Sequence, residues 1–308
     1  MKHEKAKRIV VISGKGGTGK TFFTSAIASL VSGRSVFADC DVDAANLALA
    51  LGGAVPAASR RQESFFGGER AVVDAGLCTG CGKCISSCRF DAIHMENSVA
   101  QVDPVGCEGC GVCTLVCPSS AFTLEEEIAG QWFVTDTQEG PLIHAELQAG
   151  GENSGKLVHQ VRSVAEQEAE RIGASLILID GPPGTGCPVL AAASDTDAIL
   201  LVTEATTTAL HDLQRAAEVA STFGTPIGVL VNKSDLNPEI VKKARILCDE
   251  KGYRWIGDFP YDRMAAEASA RLVDPFSLLE DATADKLRAL VANALNMVGL
   301  DVVSSAVG

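Results

Sequence analysis

The stretch VISGKGGTGKT, Val11–Thr21, decides how this chain folds. An apolar run, Arg8–Ser13, reads as a buried strand and stops at a glycine-rich turn, and a helical pattern opens at Lys20. Gly14–Thr21 fits G-x4-G-K-[ST] in that strand-then-helix context, the pattern of a phosphate-binding loop. Gly14, Gly16, Gly17 and Gly19, with Lys15 and Thr18 among them, let backbone N–H groups converge on phosphate at a helix N-terminus. Lys20 is placed to neutralise β/γ-phosphate charge, and Thr21 to offer its hydroxyl to Mg2+. Lys15 is a second lysine that the loop itself does not require.

Outward from this loop, Ser35–Asp39, Leu176–Asp180, Ala198–Thr203 and Ile227–Asn232 read as further buried strands. Lys20–Val31, Lys156–Ile172, Thr207–Phe223 and Pro238–Lys251 read as the helices between them. The alternation predicts an α/β fold, a doubly wound and mostly parallel sheet covered on both faces. Arg254–Phe259 reads as a last short strand and Ala284–Val298 as a terminal helix. That helix carries little basic charge, so it fits core packing or a dimer contact better than a membrane surface. The alternation breaks after Leu51: Gly52–Arg61 reads as loop, and Glu63–Glu127 is rich in Cys and Gly, with short strands and little helix. Gly140–Gly155 then returns the chain to the α/β pattern. The predicted organisation is a discontinuous nucleotide-binding domain, 1–60 and 128–308, with a small α+β domain, 61–127, inserted in it.

The 308 residues carry a net charge of −13, which disfavours nucleic acid as a partner. MKHEKAKR followed by a short apolar run does not read as a signal peptide, and no stretch approaches the ~20 apolar residues of a membrane span. The expectation is a cytoplasmic protein, in which 11 cysteines point to metal ligation rather than disulfides.

The cysteines are clustered. CTGCGKCISSC (78–88) and CEGCGVCTLVC (107–117) both read C-x2-C-x2-C-x3-C and lie 29 residues apart. This is the ligand spacing of a bacterial ferredoxin with two [4Fe–4S] clusters, in which the fourth cysteine of each run serves the other cluster. Cys78, Cys81, Cys84 and Cys117 would hold one, and Cys107, Cys110, Cys113 and Cys88 the other. C-x2-C pairs also bind zinc, but two tandem four-cysteine runs favour iron–sulfur. Pro118 follows Cys117 as in ferredoxins; Arg89 follows Cys88 where proline is usual, adding positive charge that would raise that cluster's potential. Cys40 and Cys248 read as packed thiols.

KGGTGKT, with Lys15 at its head, resembles the deviant Walker A loop of the MinD/ParA/Mrp ATPases, a family that includes the nitrogenase iron protein. The resemblance implies that Lys15 reaches across a dimer to the partner's nucleotide. Asp39–Asn46 (DCDVDAAN) resembles the family's switch I, and Leu176–Gly186 (LILIDGPPGTG) its Walker B and switch II. It follows from the resemblance that Asp39 lies near the Mg2+ shell, Asp41 orients the attacking water and Asp180 holds Mg2+ through water. Val231–Asp235 (VNKSD) resembles the adenine-side loop, with Asn232 as the contact, and Phe259–Asp262 (FPYD), containing Pro260, the loop on the base's other face. N-K-x-D also resembles a guanine motif, but the Lys15 signature favours ATP. Glu152–Val158 (ENSGKLV), with Asn153 or Ser154 as N-cap, resembles a segment of MinD-like ATPases that carry a ferredoxin insert. Cys187 matches the offset of a cluster-ligating cysteine in the nitrogenase iron protein, although a small, packed or redox-idle cysteine is the simpler reading.

The resemblance implies an ATP-hydrolysing, Mg2+-dependent switch that dimerises with itself, or with a related ATPase, and carries two [4Fe–4S] clusters. Its work would be assembly or delivery of iron–sulfur or other metal clusters to an apo metalloprotein client. The alternatives are ATP-gated electron transfer to a redox partner, as in the nitrogenase iron protein, and a scaffold or positioning ATPase.

Overall fold

The computed structural model describes residues 5–31, 34–51, 59–148 and 154–302. In chain order, β1 (Lys7–Ser13) leads into α1 (Lys20–Leu30), then β2 (Ser35–Asp39) and a single turn, α2 (Leu47–Ala50). β3 (Ser59–Val73), α3 (Lys83–Ser87), β4 (Ile93–Glu96), β5 (Val99–Val102), α4 (Val112–Val116), β6 (Phe122–Asp136) and β7 (Pro141–Leu147) follow. The chain then alternates through α5 (Ser154–Ile172), β8 (Leu176–Pro183), α6 (Cys187–Ala193), β9 (Ala198–Glu204), α7 (Thr207–Ser221) and β10 (Ile227–Asn232). A 3-10 turn (Ser234–Leu236), α8 (Pro238–Lys251), β11 (Arg254–Asp258), α9 (Arg263–Arg271) and α10 (Asp281–Leu295) complete it.

The chain divides into two compact units, Met1–Glu63 with Trp132–Glu146 and Ser154–Gly308, and Ser64–Gln131 with Leu147–Asn153. β3 and β6 contribute residues to both. Among the described residues the main sheet runs β11-β10-β9-β1-β8-β2-β7-β6-β3. β1 pairs in parallel with β8 on one side and β9 on the other, β10 and β11 extend the β9 side, and β2 and β7 the β8 side, all parallel. The central strands are continuous apolar runs because helices cover both of their faces; β2 and β9 are buried along nearly all their length. The chain steps to opposite sides of β1, so a crevice opens at the carboxyl ends of the strands there, the place where open α/β sheets bind ligands. Ile9 and Val11 of β1, Phe23 of α1, Leu200 of β9 and Leu287, Leu290 and Leu295 of α10 share one apolar core. α10 is therefore a packing helix. No helix among the described residues is long and apolar enough to cross a membrane.

Three segments depart from the sequence reading. β3 and β6 are 15 residues each, where short strands are expected. Gly67-Gly68 interrupts the apolar pattern of β3, and the run Glu125–Glu127 reads as solvated surface although it is extended backbone. β7 forms within the stretch expected to be a glycine-containing connection. Of the expected loop Gly52–Arg61, Ser59–Arg61 belong to β3 and residues 52–58 lie outside the described residues, as does the expected cap Asn153. α10 starts three residues before the expected Ala284.

In the second unit the 29-residue repeat is a structural repeat. Gly80 and Gly109, Gly82 and Gly111, Asp91 and Ser120 are all left-handed at matching positions. Asp74 N donates to Ala121 O and Asp103 N to Ala92 O, both at 2.7 Å, so each half closes on the other. Gly82 and Gly111 precede the short helices α3 and α4, and Cys88 and Cys117 end them with the same extended backbone.

Candidate functional site

The loop between β1 and α1 needs its glycines for reasons visible atom by atom. Gly17 and Gly19 have φ of 76° and 99°, left-handed values that side chains resist. A Cβ on Gly19 would stand 2.5 Å from Asn232 Nδ2, and one on Gly14 would strike the backbone of Asp212. Asn232, at the end of β10, donates from Nδ2 to Thr18 O at 2.9 Å and so ties the loop to the sheet. Lys20 and Thr21 open α1 below the turn, with Lys20 only 7% exposed.

Two carboxylates lie beneath. Asp39 and Asp180 face each other in register where β2 pairs with β8. Asp180 accepts from Thr21 Oγ1 at 2.7 Å and from Thr24 Oγ1 at 2.9 Å. Asp39 accepts from the backbone N–H of Asp41 and of Leu47, which fixes the loop between them. Burial first, and then the Asp180 carboxylate, push Asp39 well above the ordinary carboxylate range. Burial raises Asp180 to about 6, against Lys20 and the two threonine hydroxyls. A hydroxyl and a carboxylate 2.7 Å apart, beside a second buried carboxylate, form a hard oxygen set suited to Mg2+. Asp41 is raised by burial and pulled back by Lys20. It lines the cleft above, with Asp43 and Asn46 from the same loop.

Lys15 points elsewhere. Its Nζ lies 2.5 Å from Glu204 Oε1, at the end of β9. Glu204 Oε2 takes Lys233 Nζ at 2.9 Å, so one carboxylate holds two ammonium groups. Burial alone would raise Glu204, but the hydrogen bonds from Lys15 and Lys233 outweigh it and hold the carboxyl below its usual range.

The cleft encloses about 740 Å3, within the ~300–1,000 Å3 of small-molecule pockets. Its far wall is formed by Phe22, Pro260, Tyr261 and the small face of α9 at Ala265, Ala266 and Ser269. Asp262 caps α9, accepting from Ala265 N at 2.9 Å. The carboxylate of Asp235, which a guanine-binding N-K-x-D would aim at the base, instead accepts from Tyr261 N at 2.5 Å and fixes this loop.

In the second unit the eight clustered cysteines line two cavities. Cys78, Cys81, Cys84 and Cys117 line one, with Met95, Ala100 and Phe122. Cys88, Cys107, Cys110 and Cys113 line the other, with Ala71, Ile93 and Cys84, which lines both. Backbone amides meet sulfur here: Ala121 N donates to Cys117 Sγ at 3.3 Å and Ala100 N to Cys78 Sγ at 3.5 Å. Cys84 and Cys113 are buried in an apolar cluster with Ala71, Ile93, Ala100 and Phe122. Among the described residues no three His, Cys, Asp or Glu side chains gather closely enough to hold a single metal ion.

The profile of the CobQ/CobB/MinD/ParA nucleotide binding domain matches residues 9–276. This chain belongs to that family. It is 35% identical over 233 residues, 75% of this chain and 79% of the relative, to the uncharacterized protein MJ0578 of Methanocaldococcus jannaschii. Its fold is similar to that of the cell division ATPase MinD of Pyrococcus furiosus, at TM-score 0.56 and 18% identity over 95% of this chain and 99% of that one. It is equally similar to the septum site-determining protein MinD of Pyrococcus horikoshii, complexed with Mg-ADP, at TM-score 0.56 and 18% identity over 96% and 98% of the two chains. The chain is a P-loop ATPase.

In this MinD/ParA-type ATPase, Gly16, Gly17, Gly19, Lys20, Thr21, Asp41, Asn232 and Pro260 come together around the cleft. Asp39 and Asp180 lie buried beneath it, and Gly14, Lys15 and Thr18 are not among its lining residues. The sequence reading missed Glu204, whose signal was a carboxylate at a strand's carboxyl end, and the α9 wall, whose alanines carried none. Cys40 and Cys248 are fully buried thiols that burial pushes up. Cys187 is exposed at the start of α6 and so is not the packed thiol among its expected readings.

Proposed function

We propose that this ATPase is a nucleotide-gated dimeric switch whose second unit carries two [4Fe–4S] clusters as resident electron carriers. The loop amides and Lys20 hold the phosphates of ATP, Thr21 and Asp180 hold Mg2+, with Asp39 close by, and Asp41 positions the attacking water. The adenine lies against Pro260, Tyr261 and the α9 wall, and the engagement of Asp235 by Tyr261 N disfavours guanine. Lys15 leaves Glu204 and completes the nucleotide site of a second copy, or of a related ATPase, when the faces close.

The observation that carries the cluster reading is the partition of the cysteines. Each cavity is lined by three cysteines of one run and the last cysteine of the other, with Cys84 lining both. A cubane is ligated through four separate irons, so its sulfurs need to surround a cavity rather than meet at a point. Amides directed at Cys78 and Cys117 add the hydrogen bonds that tune such a site. Bound there, the clusters would supply one-electron carriers. Cys84 and Cys113 sit in the apolar core of the unit, so clusters that departed as cargo would remove its centre. That favours gated electron transfer to a redox partner over delivery to an apo metalloprotein.

The test is to load the clusters anaerobically and add Mg-ATP with an apo ferredoxin as acceptor. The proposal expects iron to stay on the chain while ATP shifts the cluster midpoint potentials. Iron appearing on the acceptor would instead support delivery, and unchanged iron and potentials would leave a positioning ATPase.

A further inference from the structure

At the amino ends of the strands, opposite the nucleotide cleft, the first unit has a polar cavity of about 390 Å3. His159, Arg162, Ser163 and Glu166 line it at i, i+3, i+4 and i+7, one face of α5. Lys5, Arg8 and the turn Ser194-Asp195 close it. Arg162 is only 7% exposed. Its Nη1 donates to Ala191 O and Ser194 Oγ, both at 2.6 Å. Its Nε is buried with no partner, and no carboxylate among the described residues forms an ion pair with it. Arg8 pairs through Nη1 with Glu166 at 2.8 Å, and its Nε, buried without a hydrogen bond among the described residues, lies 4.0 Å from Asp197 Oδ2.

A buried guanidinium without counter-charge is costly, by several kcal/mol. Here the carboxylates near Lys5, Arg8 and Arg162 are Glu166 and Asp197, both already paired with Arg8, and the exposed Asp195. The lining thus carries three cationic groups against two carboxylates, on a chain of net charge −13. Guanidinium groups prefer planar or tetrahedral oxyanions, which accept their donors in pairs. We propose that this cavity binds a compact oxyanion, a phosphate or carboxylate group, with Arg162 as its buried anchor and Arg8 and Lys5 at its mouth. This site is independent of the nucleotide and of the cysteine cavities.

The test first saturates the full chain with Mg-ADP, so that the P-loop is occupied. Inorganic phosphate and malonate are then titrated separately by calorimetry and thermal shift. One saturable event is expected, with phosphate or with malonate, the responding anion naming the source. Arg162→Gln should abolish it. Should that variant fail to fold, Lys5→Ala, at an exposed position, should weaken it several-fold. Absence of a saturable event with both anions, or unchanged affinity in Lys5→Ala and Arg162→Gln, would overturn the proposal.

Discussion

Glu204 holds Lys15 and Lys233 at 2.5 and 2.9 Å, and Lys15 cannot reach a second subunit while it is held. Glu204→Gln keeps the side chain's shape and loses its charge. The amide oxygen still accepts from one lysine, but its NH2 meets the other as donor against donor. A hydrogen bond to a charged group is worth roughly 1.5–3 kcal/mol. The lysines are 32% and 31% exposed, so solvent screens part of that. Release of Lys15 should therefore become easier by about 1–2 kcal/mol per subunit, a factor of roughly 5–30 in an equilibrium. The assay is ATP-dependent dimerisation by light scattering at fixed Mg2+ and salt. Glu204→Gln should dimerise at an ATP concentration several-fold lower than the wild type. An unchanged or higher half-point would mean that Glu204 acts in the closed dimer and not as a restraint on the open monomer, and the reasoning would fail.

Three other outcomes are expected. Lys15→Ala should bind Mg-ATP with near-normal affinity yet lose ATP-dependent dimerisation and hydrolysis, whereas Lys20→Ala should lose affinity itself; equilibrium binding and turnover assays separate the two. Gly19→Ala forces a side chain into left-handed backbone at about 1–2 kcal/mol and displaces Asn232, so affinity for a fluorescent ATP analogue should fall about tenfold. Burial lowers His144 to about 4; with an unfolded value near 6.5 the native state binds fewer protons between those values, so acidification disfavours it. Stability should be full above about pH 6.5 and fall by about 3 kcal/mol as pH drops through about 4, a slope that His144→Gln should flatten in urea melts.

The sheet and the phosphate loop were legible because their signals are local. Apolar runs such as Ala198–Thr203 and the spacing of Gly14–Thr21 need no knowledge of distant residues. The repeat in the second unit was legible for the same reason, since two runs of one spacing fold with left-handed residues at matching positions. What escaped depends on contacts far apart in sequence. The Lys15–Glu204 pair spans 189 residues and has no periodicity to announce it. Asn232 was expected at the base, yet its amide reaches back 214 residues to brace Thr18. The N-K-x-D pattern resembles a guanine motif, but the Asp235 carboxylate is engaged 26 residues away by Tyr261 N. β3 and β6 were obscured by a glycine pair and a glutamate run, which local pattern assigns to turns and solvent. Their extended form is set by pairing within the sheet.

The most direct test of the account is to purify the chain anaerobically and count iron and acid-labile sulfide per polypeptide. Two cubanes predict about eight of each. Single Cys81→Ser and Cys110→Ser variants, each at the exposed edge of a different cavity, should each perturb one cluster and spare the other's spectrum. Zinc in place of iron, or a wild-type count near half the expected value that no reconstitution raises, would contradict the central claim.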